Sequence, residues 1–262
     1  MSAELTADRA VLPLEGRRAL VTGSSRNLGA EITRSLAHRG ACVAITYHAS
    51  QVEADSLVAE LRSETGLPHQ AVRADLSVPA GAHIMVDTAN EALGGPIEIL
   101  VNNHGPFSME PFHLISAEDF AHIMDGNLTV AYLAVQRVVP GMRSGGWGRV
   151  INLSAGSAYI RNHSVYGLVK NAIVSLTESL ALELGPEITV NAVAPGQIAE
   201  SAQDIMDLDA GFVDRALSRT PTGRLVSRRE VAEIVASMCS APFDMLNGAV
   251  IPVDGGWRLN RF

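Results

Sequence analysis

Lys170 is the only lysine among the 20 Lys and Arg residues of this chain, and it stands one helical turn beyond Tyr166. On a helix the two side chains share a face, about 6 Å apart along the axis. An ammonium that close to a phenol favours the phenolate and draws the tyrosine pKa below its reference value of about 10. A tyrosine adjusted in this way is a usable general acid near neutral pH. Guanidinium is larger, planar and effectively never neutral, so the arginines used elsewhere for positive charge do not replace a lysine in that position.

A second constellation lies near the N-terminus. The apolar run 19–22 leads into Gly23-Ser24-Ser25-Arg26-Asn27-Leu28-Gly29, and a helical pattern follows from Ala30. Glycines between a strand and a helix let backbone N–H groups approach a pyrophosphate at the helix N-terminus. Metal chemistry has no comparable signal. The eight histidines show no ligand spacing, and neither H-E-x-x-H nor C-x-x-C occurs.

These residues need elements to hold them. Apolar, β-rich runs at 19–22, 42–46, 71–74, 97–102, 150–153, 189–194 and 249–253 alternate with helical patterns. Most are continuous rather than alternating, as in parallel strands covered on both faces. Between them, Ala54, Leu57, Val58 and Leu61 keep the helical period, as do Ile173, Leu176, Leu180 and Leu184. The fold expected is α/β: a single Rossmann-type, doubly wound parallel sheet of about seven strands with helices on both faces. Residues 1–15 read as a flexible leader, 16–262 as one domain, and 197–222 as a loop overhanging the strand C-termini, where ligands bind in open α/β sheets.

The bulk properties narrow the function. A hydrophobic fraction of 47% with 18% charged residues is that of a globular chain. A net charge of −8 argues against a nucleic-acid surface, and no apolar run approaches membrane length. Cys42 and Cys239 lie in separate apolar stretches and are expected to be buried free thiols of a cytoplasmic protein.

At this point the chain resembles the short-chain dehydrogenase/reductase family, and within it the 3-oxoacyl-carrier-protein reductases, from about Gly16 to Trp257. The family's T-G-x-x-x-G-x-G stands here as Thr22 to Gly29, with Asn27 in place of the middle glycine. Asn tolerates positive φ better than other side-chain-bearing residues. Asn102-Asn103-His104-Gly105 is similar to the family's N-N-A-G, with His104 in place of alanine, and Asn191 to Gly196 is similar to its N-x-x-x-P-G. The closing Val253-Asp254-Gly255-Gly256 is typical as well.

The resemblance implies an oxidoreductase that transfers hydride between a nicotinamide dinucleotide and a carbonyl carbon. Its cofactor residues would be Gly23, Ser25, Arg26, Asn27, Leu28, Gly29, Asp75, Leu76, Asn103, His104, Gly105, Pro195, Gly196 and Ile198, with Tyr166 and Lys170. Asp75 would meet the adenine and Ile198 the carboxamide. Tyr166 would protonate the substrate oxygen and Lys170 would bind the nicotinamide ribose. Asn127 would hold a water connecting Lys170 to solvent. The end of the second strand, Thr46-Tyr47-His48-Ala49-Ser50, carries no carboxylate for a ribose 2′-hydroxyl. The expected cofactor is therefore NADP(H), with its 2′-phosphate on Arg26 and on hydroxyl or imidazole groups of Ser25, His48 and Ser50.

The polarising serine is open. An ungapped match puts Ala155 at its place; Ser154 is favoured, Ser157 is next, and no serine is the third option. Glu200 replaces a family threonine that helps hold the carboxamide; an outward swing with Ser201 substituting is one resolution. Pro106–Phe112, Ala155–Ser164 and Gln197–Phe212 should wall the substrate site with Phe107, Met109, Tyr159, Ile160, Ile205, Met206 and Phe212, which suits an apolar or aromatic ketone. The expected reaction is reduction of a 3-oxoacyl or polyketide-type small-molecule carbonyl, a carrier-bound acyl chain included. A pteridine reductase is an alternative, and a non-catalytic NADP(H)-binding sensor or scaffold is another. No nucleic-acid or membrane partner is expected. Helical patterns at 117–139 and 165–184 would pair copies into a homotetramer or homodimer.

Overall fold

The computed structural model describes residues 11–159, 164–202 and 211–259. Each of the apolar runs becomes a strand, with ends displaced by a residue or two from the expected ones. The strands are β1 (Arg18–Val21), β2 (Cys42–Tyr47), β3 (Gln70–Arg73), β4 (Ile99–Asn102), β5 (Gly148–Leu153), β6 (Ile188–Pro195) and β7 (Val250–Val253). They form one seven-stranded sheet in the order β3-β2-β1-β4-β5-β6-β7. Every pairing is parallel. The order reverses between β1 and β4, the switch point at which such sheets open a crevice beyond their C-terminal ends.

Because successive strand side chains point to opposite faces, both faces need a cover. Ala19 and Val21 of β1, with Val43, Ile45, Val101 and Ile151, pack beneath α1 (Asn27–His38) and α2 (Gln51–Thr65). Leu20, Ala44, Leu100, Val150 and Val190 pack on the other face against α3 (Gly81–Ala92) and the helices of the chain's middle. Those are α5 (Val130–Ser144) and α6 (Val165–Leu184), while α4 (Ala117–Met124) lies outside this layer and packs its Ile123 with Val165 and Val169 of α6. Two short helices follow, α7 (Phe212–Arg219) and α8 (Arg228–Met238), the latter opened by a capping box between Ser227 and Glu230. Burial of each large aliphatic side chain in these layers contributes about 1.5–3 kcal/mol.

Three details correct the sequence reading. The helical pattern at 117–139 is not one regular helix: a π-helical turn, Asp125–Thr129, separates α4 from α5 and contains Asn127. Most of the expected leader lies outside the described residues, but Leu14 is buried and its N–H donates to the Arg39 carbonyl at 2.8 Å, so docked chain begins before Gly16. Both cysteines are free, yet only Cys239 is fully buried; Cys42, first in its strand, is half-exposed.

Candidate active site

The turn after β1 is built from its own polar groups. Thr22 is buried, and its Oγ1 accepts the N–H groups of Asn103 and His104, both at 2.9 Å. Ser24 points inward, donating to the Val21 carbonyl and accepting from the Thr46 N–H, each at 2.7 Å. Asn103 Nδ2 donates to the carbonyls of Thr22 at 2.9 Å and Gly23 at 3.2 Å. Gly23 has φ +63°, and Asn27, at +53°, is the non-glycine residue with positive φ among the described residues. That is the conformation the missing glycine would take, so the substitution leaves the turn intact. A Cβ on Gly29 would overlap the Gly23 carbonyl oxygen and come within 2.8 Å of Asn103 Nδ2.

This packing delivers the N-terminus of α1 to a cavity of about 500 Å³. Arg26 at the N-cap is extended and makes no side-chain cap, so the first-turn N–H groups are available to a ligand. Gly23, Ser25, Arg26, Asn27, Leu28, Gly29, His48, Ser50, Leu76, Asn103, His104 and Gly105 all line this space, together with Pro106 and His122. Exposed N–H groups at a helix start and a lining with no carboxylate among the described residues fit a polyphosphate. Asp75 is not in the lining. Its carboxylate accepts from Ser77 N at 3.0 Å and Oγ at 2.6 Å, and His48 Nε2 lies 4.0 Å away.

The chemical group sits at the C-terminal ends of β4, β5 and β6. Ser164 caps α6 by accepting from Gly167 N–H, and a bridge between Pro111 and Ser164 ties the loop after β4 to that cap. Phe107 of the same loop meets the Tyr166 ring edge-on, with centroids 4.8 Å apart. One turn on, the buried Lys170 donates Nζ–H to the Leu153 carbonyl at 2.9 Å, and its own carbonyl accepts the Ser154 hydroxyl at 2.8 Å. The end of β5 thus grips Lys170 at both ends.

The ionisation differs from the expected pattern. Burial pushes the Tyr166 phenol up to about 12, rather than an ammonium drawing it down. Burial also lowers Lys170 to about 8. The reason is geometric: Nζ is turned to Leu153 and stands 5.4 Å from the Tyr166 ring centre, so loss of water outweighs attraction.

Asn127 lies in the π turn, where a widened ring perturbs the regular ladder. Its Nδ2 donates to the carbonyls of Pro106 at 2.9 Å and Ile123 at 3.0 Å, while buried Oδ1 has no partner among the described residues. A Cβ on Gly105 would overlap that oxygen, which explains a glycine there. Ser154 is buried with its proton committed; Ser157 Oγ is buried with no partner among the described residues.

Pro195 and Gly196 end β6, where Gly196 N–H donates to Val253 at 3.0 Å and packs on Asp254. Ile198 bridges to Val226. Glu200 does swing outward, accepting the Arg228 N–H at the start of α8. Ser201 Oγ accepts from the Arg228 guanidinium at 3.1 Å, a bond that leaves its own proton to donate. Of the expected substrate wall, Phe107, Met109, Phe112 and Tyr159 are exposed apolar groups. Ile160, Ile205 and Met206 lie outside the described residues.

Sequence reasoning missed His122. It reaches the cavity from α4, and a lone histidine on an exposed helical face carries no local signal of that. Thr46, whose Oγ1 accepts the Gly23 N–H at 2.7 Å, was visible only as a strand residue.

The chain is similar to known proteins over nearly its whole length. A family model described as enoyl-(acyl carrier protein) reductase matches residues 23–258. A tropinone reductase homolog of Arabidopsis thaliana is 34% identical over 252 residues, covering 95% of each chain. The crystal structure of a gluconate 5-dehydrogenase from Burkholderia cenocepacia, in complex with NADP and tartrate, superposes with a TM-score of 0.87 at 30% identity, covering 96% of this chain and 98% of that one. A 7α-hydroxysteroid dehydrogenase complexed with NADH and 7-oxo glycochenodeoxycholic acid does so with a TM-score of 0.87 at 28% identity, covering 94% and 96%.

Proposed function

The chain belongs to the short-chain dehydrogenase/reductase family, and from that premise we propose that it is an NADPH-dependent oxidoreductase that reduces an apolar or aromatic ketone to an alcohol. The observation that carries the reading is the sole lysine, buried at the rim of the sheet and held by the Leu153 carbonyl one turn from Tyr166. Burying an ammonium costs several kcal/mol, an expense that packing alone does not explain.

The phosphate loop, Asn103 to Gly105, and Tyr166 with Lys170 would hold the dinucleotide, which when bound supplies hydride to the substrate's carbonyl carbon. Tyr166, kept protonated by its raised pKa, gives the oxygen its proton. Lys170, lowered to about 8, carries a proton that is mobile near neutrality and replaces the one Tyr166 gives up. The unpartnered Oδ1 of Asn127 supports a place for a water in that relay. Ser154 gives its proton to the Lys170 carbonyl, which supports a positioning part, and the Ser157 hydroxyl, without a partner among the described residues, is the better candidate to polarise the carbonyl. Arg26, Ser25, His48 and Ser50, in a lining that has no carboxylate among the described residues, support the 2′-phosphate form of the cofactor. Phe107, Met109, Phe112 and Tyr159 support an apolar substrate.

The test is NADPH and NADH oxidation with β-ketoesters and aromatic ketones, in the parent and in Tyr166→Phe. The expected result is NADPH preference and a loss of about 10²–10⁴ in kcat for the variant, with nucleotide affinity kept. Tight NADPH binding without turnover on any ketone would instead support a sensor.

A further inference from the structure

We infer that His48, His104 and His122 form with Arg26 a cationic wall on the nucleotide cavity, and that the dinucleotide's phosphates draw protons onto this wall as they bind. The inference rests on the nucleotide reading above and deepens it. The three imidazoles reach one cavity from separate places: His48 follows β2, His104 follows β4, and His122 stands on α4. Among the described residues the lining includes no Asp or Glu. Such a wall repels itself when charged and is completed by anions.

The charges around each imidazole fit this use. His48 faces Asp75, whose Oδ2 is 4.0 Å from Nε2, with Arg73 of β3 acting on the same carboxylate. His104 feels Lys170 from α6, His122 from α4 and His48 from the end of β2, all cationic when protonated. His122 has Glu118, Asp119 and Asp125 one turn away along its own chain, and His104 across the cavity. His104 makes no side-chain hydrogen bond to the described residues, so its ring nitrogens remain for a ligand. Burial first, and then these like charges, hold its imidazole below the ordinary histidine value. An anion brought alongside reverses the balance and favours the protonated ring. By linkage, whatever the phosphate does for the proton, the proton does equally for the phosphate.

The experiment measures NADPH dissociation constants by nicotinamide fluorescence from about pH 8 to about pH 6 at constant ionic strength. Calorimetry in two buffers of different ionisation enthalpy counts the protons taken up by the full chain. Affinity should tighten about three- to tenfold on acidification, with net proton uptake. The ligand cannot mimic this, because its 2′-phosphate, with a second pKa of about 6, loses charge in that direction and would weaken binding. The exposed pair His48→Gln/His122→Gln should flatten the profile while the thermal melt stays near the parent's, and adding His104→Gln should abolish uptake. Tight binding with a flat profile and no uptake overturns the inference and leaves the nucleotide reading standing. A profile unchanged in the triple variant also overturns it. No NADPH binding at any pH removes both.

Discussion

Replacing Gly29 by alanine should disable nucleotide binding before it unfolds the protein. The added Cβ would overlap the Gly23 carbonyl oxygen and stand 2.8 Å from both Asn103 Nδ2 and Ser24 Cα. Comfortable carbon contacts begin near 3.5 Å, so the turn must open by roughly 0.7 Å or more. It cannot do so for nothing, because Asn103 Nδ2 is bonded to Thr22 and Gly23 and Ser24 Oγ to Val21. Overpacking of this kind costs about 1–3 kcal/mol, and each hydrogen bond released costs about 1 kcal/mol more. A total near 3 kcal/mol, taken from the geometry of the N–H cradle, corresponds to a dissociation constant for NADPH raised about a hundredfold. Any part absorbed by the fold lowers Tm by about 2–4 °C per kcal/mol. The assay is a fluorescence titration with NADPH beside a thermal melt. Gly145→Ala serves as control: its φ is −81° and its Cβ would meet nothing nearer than 3.5 Å. Parental NADPH affinity in Gly29→Ala would refute the assignment of this turn as the phosphate cradle.

Other expectations follow from the same geometry. Ser157→Ala should lower kcat about 10²-fold or more, on the scale of losing one oxyanion donor, while Ser154→Ala should act through a displaced Lys170; steady-state kinetics with a pH profile decide, and an unchanged kcat in Ser157→Ala removes that residue from the mechanism. Fully buried His69 accepts the Val43 N–H on Nδ1 at 3.1 Å, and burial lowers its pKa to about 4. The native state therefore refuses a proton that the unfolded chain takes up below about 6.5. Stability is complete above that pH and is lost as pH falls toward 4, by up to about 3 kcal/mol. Urea midpoints of the parent and His69→Gln across this window test it, and equal acid losses in both would show that the imidazole is not responsible. Leu182, 90% exposed on α6, and the exposed Leu168, Tyr132 and Phe120 leave apolar surface on α4 to α6. Light scattering should find a homotetramer or homodimer that Leu182→Glu weakens; a monomeric parent refutes the pairing.

What was legible beforehand shares one property, that neighbours in sequence are neighbours in space. The strands were readable because a sheet buried on both faces favours unbroken apolar runs, as in Ile99 to Val101. Tyr166 and Lys170 were readable because a helix brings residues one turn apart together wherever it lies. The phosphate turn was readable because Gly23, Asn27 and Gly29 answer to local φ and to the helix that follows. The π turn at Asn127 was not, since the partner of its side chain, the Pro106 carbonyl, lies far along the chain.

The sequence by itself therefore determined the layered α/β scaffold, the glycine-containing turn before α1 and the tyrosine–lysine pair on one helix. Only the tertiary structure decided what those groups are free to do. It turned the Lys170 ammonium to Leu153, raised rather than lowered the phenol, committed Ser154, left Ser157 without a partner among the described residues, and brought His122 to the cavity at the start of α1. Ionisation and hydrogen-bond commitment depend on water excluded and partners supplied by strands and helices far along the chain, and no local spacing encodes them.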